Sequence, residues 1–124
     1  MGDRAWRGRR GRGLRRIDLF GVDEIGDGEM RMAWVDGTDQ VLVINQGGRF
    51  TAVQGICSHE YFELDKGFLT AGTLTCSLHL SRFDLGDGDA LDPPAELPLV
   101  VYPVVIEAGR ILIEVPDGPL EVNQ

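Results

Sequence analysis

All the cysteines and histidines of this 124-residue chain lie between positions 57 and 79. They form two pairs, Cys57 with His59 and Cys76 with His79, in the pattern C-x-H-x16-C-x2-H. Thiolates are soft metal ligands and imidazoles are borderline ones, so this donor set is typical of a metal site. Chance is a poor explanation, because no cysteine or histidine falls outside the pairs. The pattern therefore predicts a metal centre.

Two kinds of metal centre use two cysteines and two histidines. A structural Cys2His2 zinc site is chemically possible, but zinc fingers usually pair cysteine with cysteine and histidine with histidine. A [2Fe–2S] centre with the cysteines on one iron and the histidines on the other suits the mixed pairs, because one loop can then reach both irons. A disulfide is disfavoured in a reducing compartment and leaves the histidines unexplained. On the residues alone, zinc and iron both stay open.

The chain resembles the Rieske-type [2Fe–2S] ferredoxins of multicomponent bacterial oxygenases over residues 17–115. The resemblance rests on Cys57-Ser58-His59 and Cys76-Ser77-Leu78-His79 at the spacing of that family. Further similarity, above all to the ferredoxins of toluene and alkene monooxygenases, lies in Gly28-Glu29-Met30 and in Leu91-Asp92-Pro93 leading to Val101-Tyr102-Pro103-Val104.

The resemblance implies a fold and a set of ligands. The fold is the all-β Rieske fold, an antiparallel β-sandwich base with a small cluster-binding subdomain inserted at about residues 56–84. One Rieske-type [2Fe–2S] cluster is implied. Cys57 and Cys76 would bind its buried iron, and His59 and His79 its outer iron near the surface.

By the same resemblance the protein carries electrons and is not an enzyme by itself. It would take one electron from an NAD(P)H-dependent flavin reductase and pass it to the terminal oxygenase of an aromatic or alkene hydrocarbon monooxygenase. The catalytic subunits of Rieske oxygenases need two further histidines, which this chain lacks. The alternatives are the ferredoxin of a Rieske ring-hydroxylating dioxygenase, the small subunit of a reductase and a structural zinc protein.

Residues after the second histidine are expected to tune the reduction potential. Respiratory Rieske proteins brace their cluster with a disulfide, and Leu78 stands here where one of its cysteines would be. They also place a serine and a tyrosine two and four residues after the second histidine, and both donate hydrogen bonds to sulfur. Here these residues are Ser81 and Phe83. Because Phe83 cannot donate, we expect a potential near the low end of the Rieske range of about −150 to +300 mV.

Four residues beside the ligands are predicted to contact partner proteins, namely Glu60, Tyr61, Leu80 and Pro93. Phe62 is expected instead to pack locally and shield the cluster. Since the outer iron offers the shortest electron route, reductase and oxygenase should use the same exposed tip, with sequential and weak binding.

The rest of the chain reads as short strands separated by turns. Met30, Met32 and Trp34 alternate with smaller or polar residues, which predicts a strand with these three side chains buried. Residues 40–44 are a β-branched run, and Gly47-Gly48 after it predicts a hairpin back through residues 49–53. A second hairpin is predicted at Glu107-Ala108-Gly109, between residues 99–106 and 110–115.

Charge divides the chain into a predicted disordered arm, residues 1–16, and a domain, residues 17–124. The arm has seven arginines and one acid, whereas the domain carries a net charge of −14. Such an acidic domain should repel nucleic acid and anionic membranes. No apolar run approaches the roughly 20 residues that span a bilayer, and Arg15-Arg16 lacks the apolar stretch of an export signal. We therefore expect a cytoplasmic location. We also expect the protein to be a monomer in isolation.

Overall fold

The computed structural model describes residues 13–124, and the first twelve residues lie outside that description. Ten short strands make up most of the regular structure. They are β1 Leu14–Gly21, β2 Met30–Val35, β3 Asp39–Gln46, β4 Arg49–Gln54, β5 Phe68–Thr70, β6 Thr73–Thr75, β7 Arg82–Asp84, β8 Val101–Tyr102, β9 Val104–Glu107 and β10 Arg110–Pro116. Single 3-10 turns occupy Val22–Glu24 and Leu64–Lys66. Within residues 13–124, no helix is long and apolar enough to cross a membrane.

The strands form three antiparallel sheets, which confirms the predicted all-β class. The first sheet has the order β1-β10-β9, the second β2-β3-β4-β8 and the third β5-β6-β7. One core lies between the first and second sheets. A separate core lies between the opposite face of the second sheet and the part of the chain that carries the third. The second sheet is therefore the central layer of the molecule.

Strand β3 supplies side chains to both cores. Val41 and Val43 belong to the first core, whereas Leu42 and Ile44 belong to the second, and all four are almost fully buried. A strand that is buried on both faces reads as a continuous apolar run instead of an alternating one. This explains why residues 40–44 show no polar alternation.

Both predicted hairpin turns are confirmed, but the first strand of the second hairpin is shorter than the predicted residues 99–106, because Val104–Glu107 pairs with β10 whereas Val101–Tyr102 pairs with β4. The turn between β3 and β4 has Gly47 and Gly48 at φ 65° and 87°, and the turn between β9 and β10 has Ala108 and Gly109 at φ 49° and 76°. Two successive residues with positive φ are what the favoured two-residue hairpin turn requires. The pairing registers follow directly, with Gln46 opposite Arg49.

The buried face predicted for β2 is partly wrong. Met30 and Met32 are half-buried against the second core, but Trp34 is 58% exposed. Ala33 and Val35 instead lie in the first core. Trp34 lies on the same face of β2 as Met30 and Met32, but it is not among the side chains that pack against the second core.

The arm predicted to end at residue 16 differs from the structure at its inner end. Arg15 and Arg16 lie in β1, which pairs with β10. Arg16 forms ion pairs with Glu107 and Glu114, at 2.6 and 3.0 Å. These acids are distant in sequence, so local composition could not reveal the pairing. Leu14, also within the predicted arm, is the first residue of β1, and residues 1–12 of the arm lie outside the described residues.

The range predicted for the cluster-binding subdomain, about residues 56–84, contains the third sheet. An isolated bridge between Ile56 and Glu63 precedes that sheet, and a bridge between Phe83 and Ala90 follows it. Residues 85–99 then return towards the second sheet, where the Leu99 N–H donates to the carbonyl of Gly88.

Gly88 lies where residues 85–99 pack closely against one another. It has φ +85°, and a Cβ there would lie 2.1 Å from the Leu99 carbonyl oxygen. Gly37 has φ +84° with open space around it. We expect Gly37→Ala to lower the free energy of unfolding by about 1–2 kcal/mol through backbone strain alone. Gly88→Ala should cost roughly 2 kcal/mol more, measured by denaturant unfolding. Equal losses would show that the close contact is not needed.

Candidate metal centre

The four predicted ligands lie on two loops within residues 56–84, the range predicted for the cluster-binding subdomain. The first loop follows β4, and the Cys57 N–H donates to the Phe62 carbonyl at 3.0 Å. The second loop joins β6 to β7. Its ends are held by the Cys76 N–H, which donates to the Ser81 carbonyl, and by the Leu80 N–H, which donates to the Cys76 carbonyl, both at 2.9 Å. Each loop is thus a short turn with its own backbone hydrogen bonds.

A glycine lets the segment between the two loops pack closely against β6. Gly67 follows the turn at Leu64–Lys66, and a Cβ on it would lie 2.1 Å from the carbonyl oxygen of Thr75. Ser77 strengthens the same approach, because its hydroxyl donates to the Lys66 carbonyl at 3.1 Å. The segment between the two ligand pairs therefore folds back against the strand that leads to Cys76.

The ligand candidates differ sharply in burial. Cys57 and Cys76 are each 2% exposed, unbridged, and part of the second core. His59 and His79 are exposed, and their ring centroids are 5.3 Å apart at an interplanar angle of 69°. The structure therefore brings the four residues together as an inner thiol pair and an outer imidazole pair.

Burial also raises the pKa of the Cys76 thiol, and the adjacent Cys57 thiol adds to the rise. The backbone N–H groups of Leu78 and His79 act in the opposite direction, because they donate towards the sulfur and favour its charged form. A thiol with a raised pKa stays protonated at neutral pH unless a cation replaces the proton. The thiol pair therefore fits a metal that holds both sulfurs as thiolates.

The spacing of the donors separates the two metal hypotheses. Among the residues that the structure describes, the one group of three or more candidate ligands within 4.8 Å of one another consists of His59, Glu60 and His79. A tetrahedral zinc holds its donors at about 2.0–2.3 Å, so all four would lie closer together than this limit. The cysteines do not meet it together with the histidines. The arrangement therefore fits a two-iron cluster better than a single zinc.

Both predicted tuning residues are buried beside the site. Phe83 is fully buried in the same core as the two cysteines, where it supplies packing. The Ser81 hydroxyl accepts a hydrogen bond from the Ala95 N–H at 3.2 Å. Since that oxygen acts as an acceptor, its own hydrogen stays available to donate.

The residues predicted to contact partners are all exposed. Glu60 lies with its carboxylate 3.6 Å from His59 Nε2. Tyr61 is 70% exposed, and its hydroxyl lies 3.3 Å from the side-chain oxygen of Gln40. Leu80 is 61% exposed at φ 63°, a conformation that is costly for a leucine. Pro93 is exposed on the segment that covers both ligand loops.

Sequence reasoning missed how that proline segment holds the site. The Ser58 hydroxyl donates to the Leu97 carbonyl at 2.6 Å, and Ala95 reaches the second loop through Ser81. Arg82 anchors the start of the segment through a two-pronged ion pair with Asp92, at 2.6 and 3.1 Å. The run Asp92-Pro93-Pro94 was a visible signal of a rigid segment, but not of its position.

Comparison with known proteins shows which family and which relatives this chain is similar to. Residues 16–103 match the model of the Rieske [2Fe–2S] domain. The ferredoxin component of the alkene monooxygenase system of Xanthobacter autotrophicus (strain ATCC BAA-1158 / Py2) is 38% identical over 106 residues, 85% of each chain. The 3-phenylpropionate/cinnamic acid dioxygenase ferredoxin subunit of Escherichia coli (strain K12) is 35% identical over 85% of this chain and 98% of its own.

The fold is also that of a chain in the complex of reduced oxygenase and oxidized ferredoxin in carbazole 1,9a-dioxygenase. The TM-score is 0.76 at 23% identity, and the match covers 86% of this chain and 97% of the other. The expected Rieske fold and the expected single [2Fe–2S] cluster are thereby confirmed. This chain belongs to the family of Rieske [2Fe–2S] domains.

Proposed function

We propose that this chain is the electron-carrying ferredoxin of a multicomponent oxygenase, with Cys57, Cys76, His59 and His79 as the four ligands of its cluster. The observation that carries the proposal is the division of these residues into a buried thiol pair and an exposed imidazole pair. When bound, the [2Fe–2S] cluster accepts and releases one electron. The function is that of a carrier, as in the relatives named as ferredoxin components.

The protein side of the mechanism follows from burial. The second core keeps water away from the thiolates, while the imidazoles form the part of the site that a partner can touch. Backbone N–H groups of Leu78 and His79 stabilise negative charge on the Cys76 sulfur. Because the two loops are held by their own backbone hydrogen bonds, little needs to move when the charge changes. A rigid site of this kind suits rapid electron exchange.

The partner surface is proposed to be the tip around His59 and His79. Glu60, Tyr61, Leu80 and Pro93, which are all exposed, would contact first a flavin-dependent NAD(P)H reductase and then a terminal oxygenase. The related carbazole system supports the second contact, because its ferredoxin forms a complex with its oxygenase. The reductase, the monomeric state in isolation and the cytoplasmic location stay predictions from the sequence.

Two classes of oxygenase partner are supported by specific relatives. The similarity to the alkene monooxygenase ferredoxin favours a hydrocarbon monooxygenase, which we propose as the first candidate. The similarity to the 3-phenylpropionate/cinnamic acid dioxygenase ferredoxin supports a ring-hydroxylating dioxygenase as the second. Electron transfer from the purified protein to one oxygenase of each class distinguishes them.

The ligand assignment predicts a definite spectrum and metal content. The purified protein should contain two irons per chain, and reduction by dithionite should give an EPR signal whose average g lies below that of all-cysteine clusters. His79→Ala should lose this signal, because one iron loses a ligand. Glu60→Gln, which alters the neighbouring carboxylate alone, should keep it. A colourless protein with one zinc per chain contradicts the function.

The environment of Phe83 predicts a shift in reduction potential. If the added hydroxyl of Phe83→Tyr donates to a sulfur, it favours the reduced cluster, which carries more negative charge. A hydrogen bond worth about 1.4 kcal/mol corresponds to a rise of about 60 mV, measurable by protein-film voltammetry. Ser81→Ala should lower the potential by a similar amount. Phe83→Leu is the control, since it disturbs packing without adding a donor. An unchanged potential in a folded Phe83→Tyr protein would contradict the prediction.

The conformation of Leu80 allows docking to be tested without loss of stability. Leu80→Gly removes an exposed side chain and relieves the positive φ, so the protein should gain about 1 kcal/mol of stability. We nevertheless expect electron transfer to the oxygenase, followed by stopped flow, to slow by roughly fivefold or more through lost partner contact. Ala108→Gly relieves a similar φ in the hairpin between β9 and β10 and should leave the rate unchanged. Equal rates in both variants would remove Leu80 from the docking surface.

A further inference from the structure

The C-terminal tail, defined as residues 117–124, makes specific contacts with a buried side chain beside the first ligand loop. Gln54 is fully buried at the end of β4, three residues before Cys57. Its Nε2 donates to the carbonyl of Asn123 at 2.8 Å, and its Oε1 accepts from the Asn123 N–H at 3.1 Å. The backbone of Asn123 is therefore paired with the two ends of one side-chain amide.

The same amide also forms hydrogen bonds to the backbone of Ile56, next to Cys57, and of Val100. Gln54 Nε2 donates its second hydrogen to the carbonyl of Ile56 at 2.8 Å, and Oε1 accepts a second hydrogen bond from the Val100 N–H at 2.9 Å. Ile56 directly precedes the ligand Cys57. All the hydrogen-bonding capacity of the amide is thus used, half of it by the tail.

The Asn123 side chain reaches the other support of the first loop. Its Nδ2 donates to the Pro98 carbonyl at 3.0 Å. The adjacent Leu97 carbonyl accepts the hydrogen bond from Ser58, the residue after Cys57. One tail residue therefore holds the segments on both sides of the loop, the first through Gln54 and Ile56 and the second through Pro98.

Loss of the tail would leave one side-chain N–H of Gln54 unpaired in a fully buried position, and it would remove one of the two hydrogen bonds that the side-chain oxygen accepts. Unpaired buried polar groups are costly, so Gln54 would turn or admit water, and its bond to Ile56 would weaken. The tail lies beyond residues 16–103, the range that matches the family model. These contacts therefore come from a part of this chain that the family pattern does not cover.

We propose that Asn123 and Gln54 are positioning residues, through which the C-terminal tail fixes the Cys57–His59 loop and slows loss of the cluster. The inference rests on the proposed function, since it takes Cys57 as a ligand. The tail acts on the buried end of the site and leaves the exposed imidazoles free for partners. It is thus a determinant of cluster retention and not of docking.

Three variants of the cluster-loaded full chain test the proposal. Deletion of residues 123–124 removes all three hydrogen bonds of Asn123, and Asn123→Ala removes the Pro98 bond alone. Tyr102→Phe is the matched control, because it removes another tail contact, the bond from the Tyr102 hydroxyl to the Glu121 carbonyl, on the far side from the loop. The measurements are iron release to a chelator, amide hydrogen exchange of residues 56–62, reduction potential and global unfolding.

We expect the deletion to raise the rate of iron release by about tenfold or more, with faster exchange confined to residues 56–62 and a shifted potential. Asn123→Ala should give a smaller change in the same direction. Tyr102→Phe should lower global stability and leave release, loop exchange and potential unchanged. Equal release rates in the deletion and Tyr102→Phe proteins, or unchanged loop exchange in the deletion, would overturn the proposal.

Failure of the proposed tail contact and failure of the proposed function give different results. The metal content and EPR signal of the unaltered protein decide whether a Rieske cluster is present on the proposed ligands. Loop exchange reports on the tail contact whatever metal is bound. A normal Rieske signal in the unaltered protein, together with unchanged loop exchange in the deletion variant, therefore rejects only the proposed role of the tail. A protein that contains zinc instead of iron rejects the proposed function.

Discussion

Two thiols must lie inside the protein while two imidazoles beside them reach the surface, and the rest of the structure depends on this constraint. Buried thiolates are unfavourable without a cation, and an electron carrier whose redox group is fully buried exchanges electrons slowly with its partners. The central sheet meets both demands because both of its faces are covered. Leu42 and Ile44 of the central sheet belong to the same core as Cys57 and Cys76, and the part of the chain that covers this face consists of a short sheet and loops. The histidines therefore emerge at the outside of a thin layer.

Leu64, Leu74 and Phe83 pack this layer against the central sheet, and backbone and side-chain hydrogen bonds then position the proposed ligands. The first loop is held by Phe62 and by Ser58, the second by the bonds that Cys76 makes across its own turn. The segment 91–99 binds both loops and is itself anchored through Arg82 and Asp92. Leu80, by contrast, does not stabilise the fold. Its φ is positive and its side chain is exposed, and it lies next to His79, a proposed ligand. Strain retained at such a position indicates function rather than packing.

The features that could be predicted from the sequence are those that local chemistry determines. Paired glycines specify the first hairpin, a β-branched run specifies β3, and the spacing of cysteine and histidine specifies the centre. Features that depend on distant residues could not be predicted. Trp34 alternates with Met30 and Met32 but does not share their packing against the second core, and Arg16 forms ion pairs with Glu107 and Glu114, which are distant in sequence. Gln54 gave no signal either, since a lone glutamine at a strand end reveals neither its burial nor its partners.

The distribution of charge and apolar surface suits a carrier that must release each partner after one electron. The chain has a net charge of −8, which favours encounter with basic partner surfaces over long range. At the proposed docking tip, Tyr61 and Leu80 are exposed apolar side chains, and the Glu60 carboxylate lies 3.6 Å from His59 Nε2. Apolar contacts are not directional, so this proposed surface suits the two proposed partners, a reductase and an oxygenase, in turn. We propose weak contacts with each partner, because a shuttle between a donor and an acceptor requires that each complex dissociate readily.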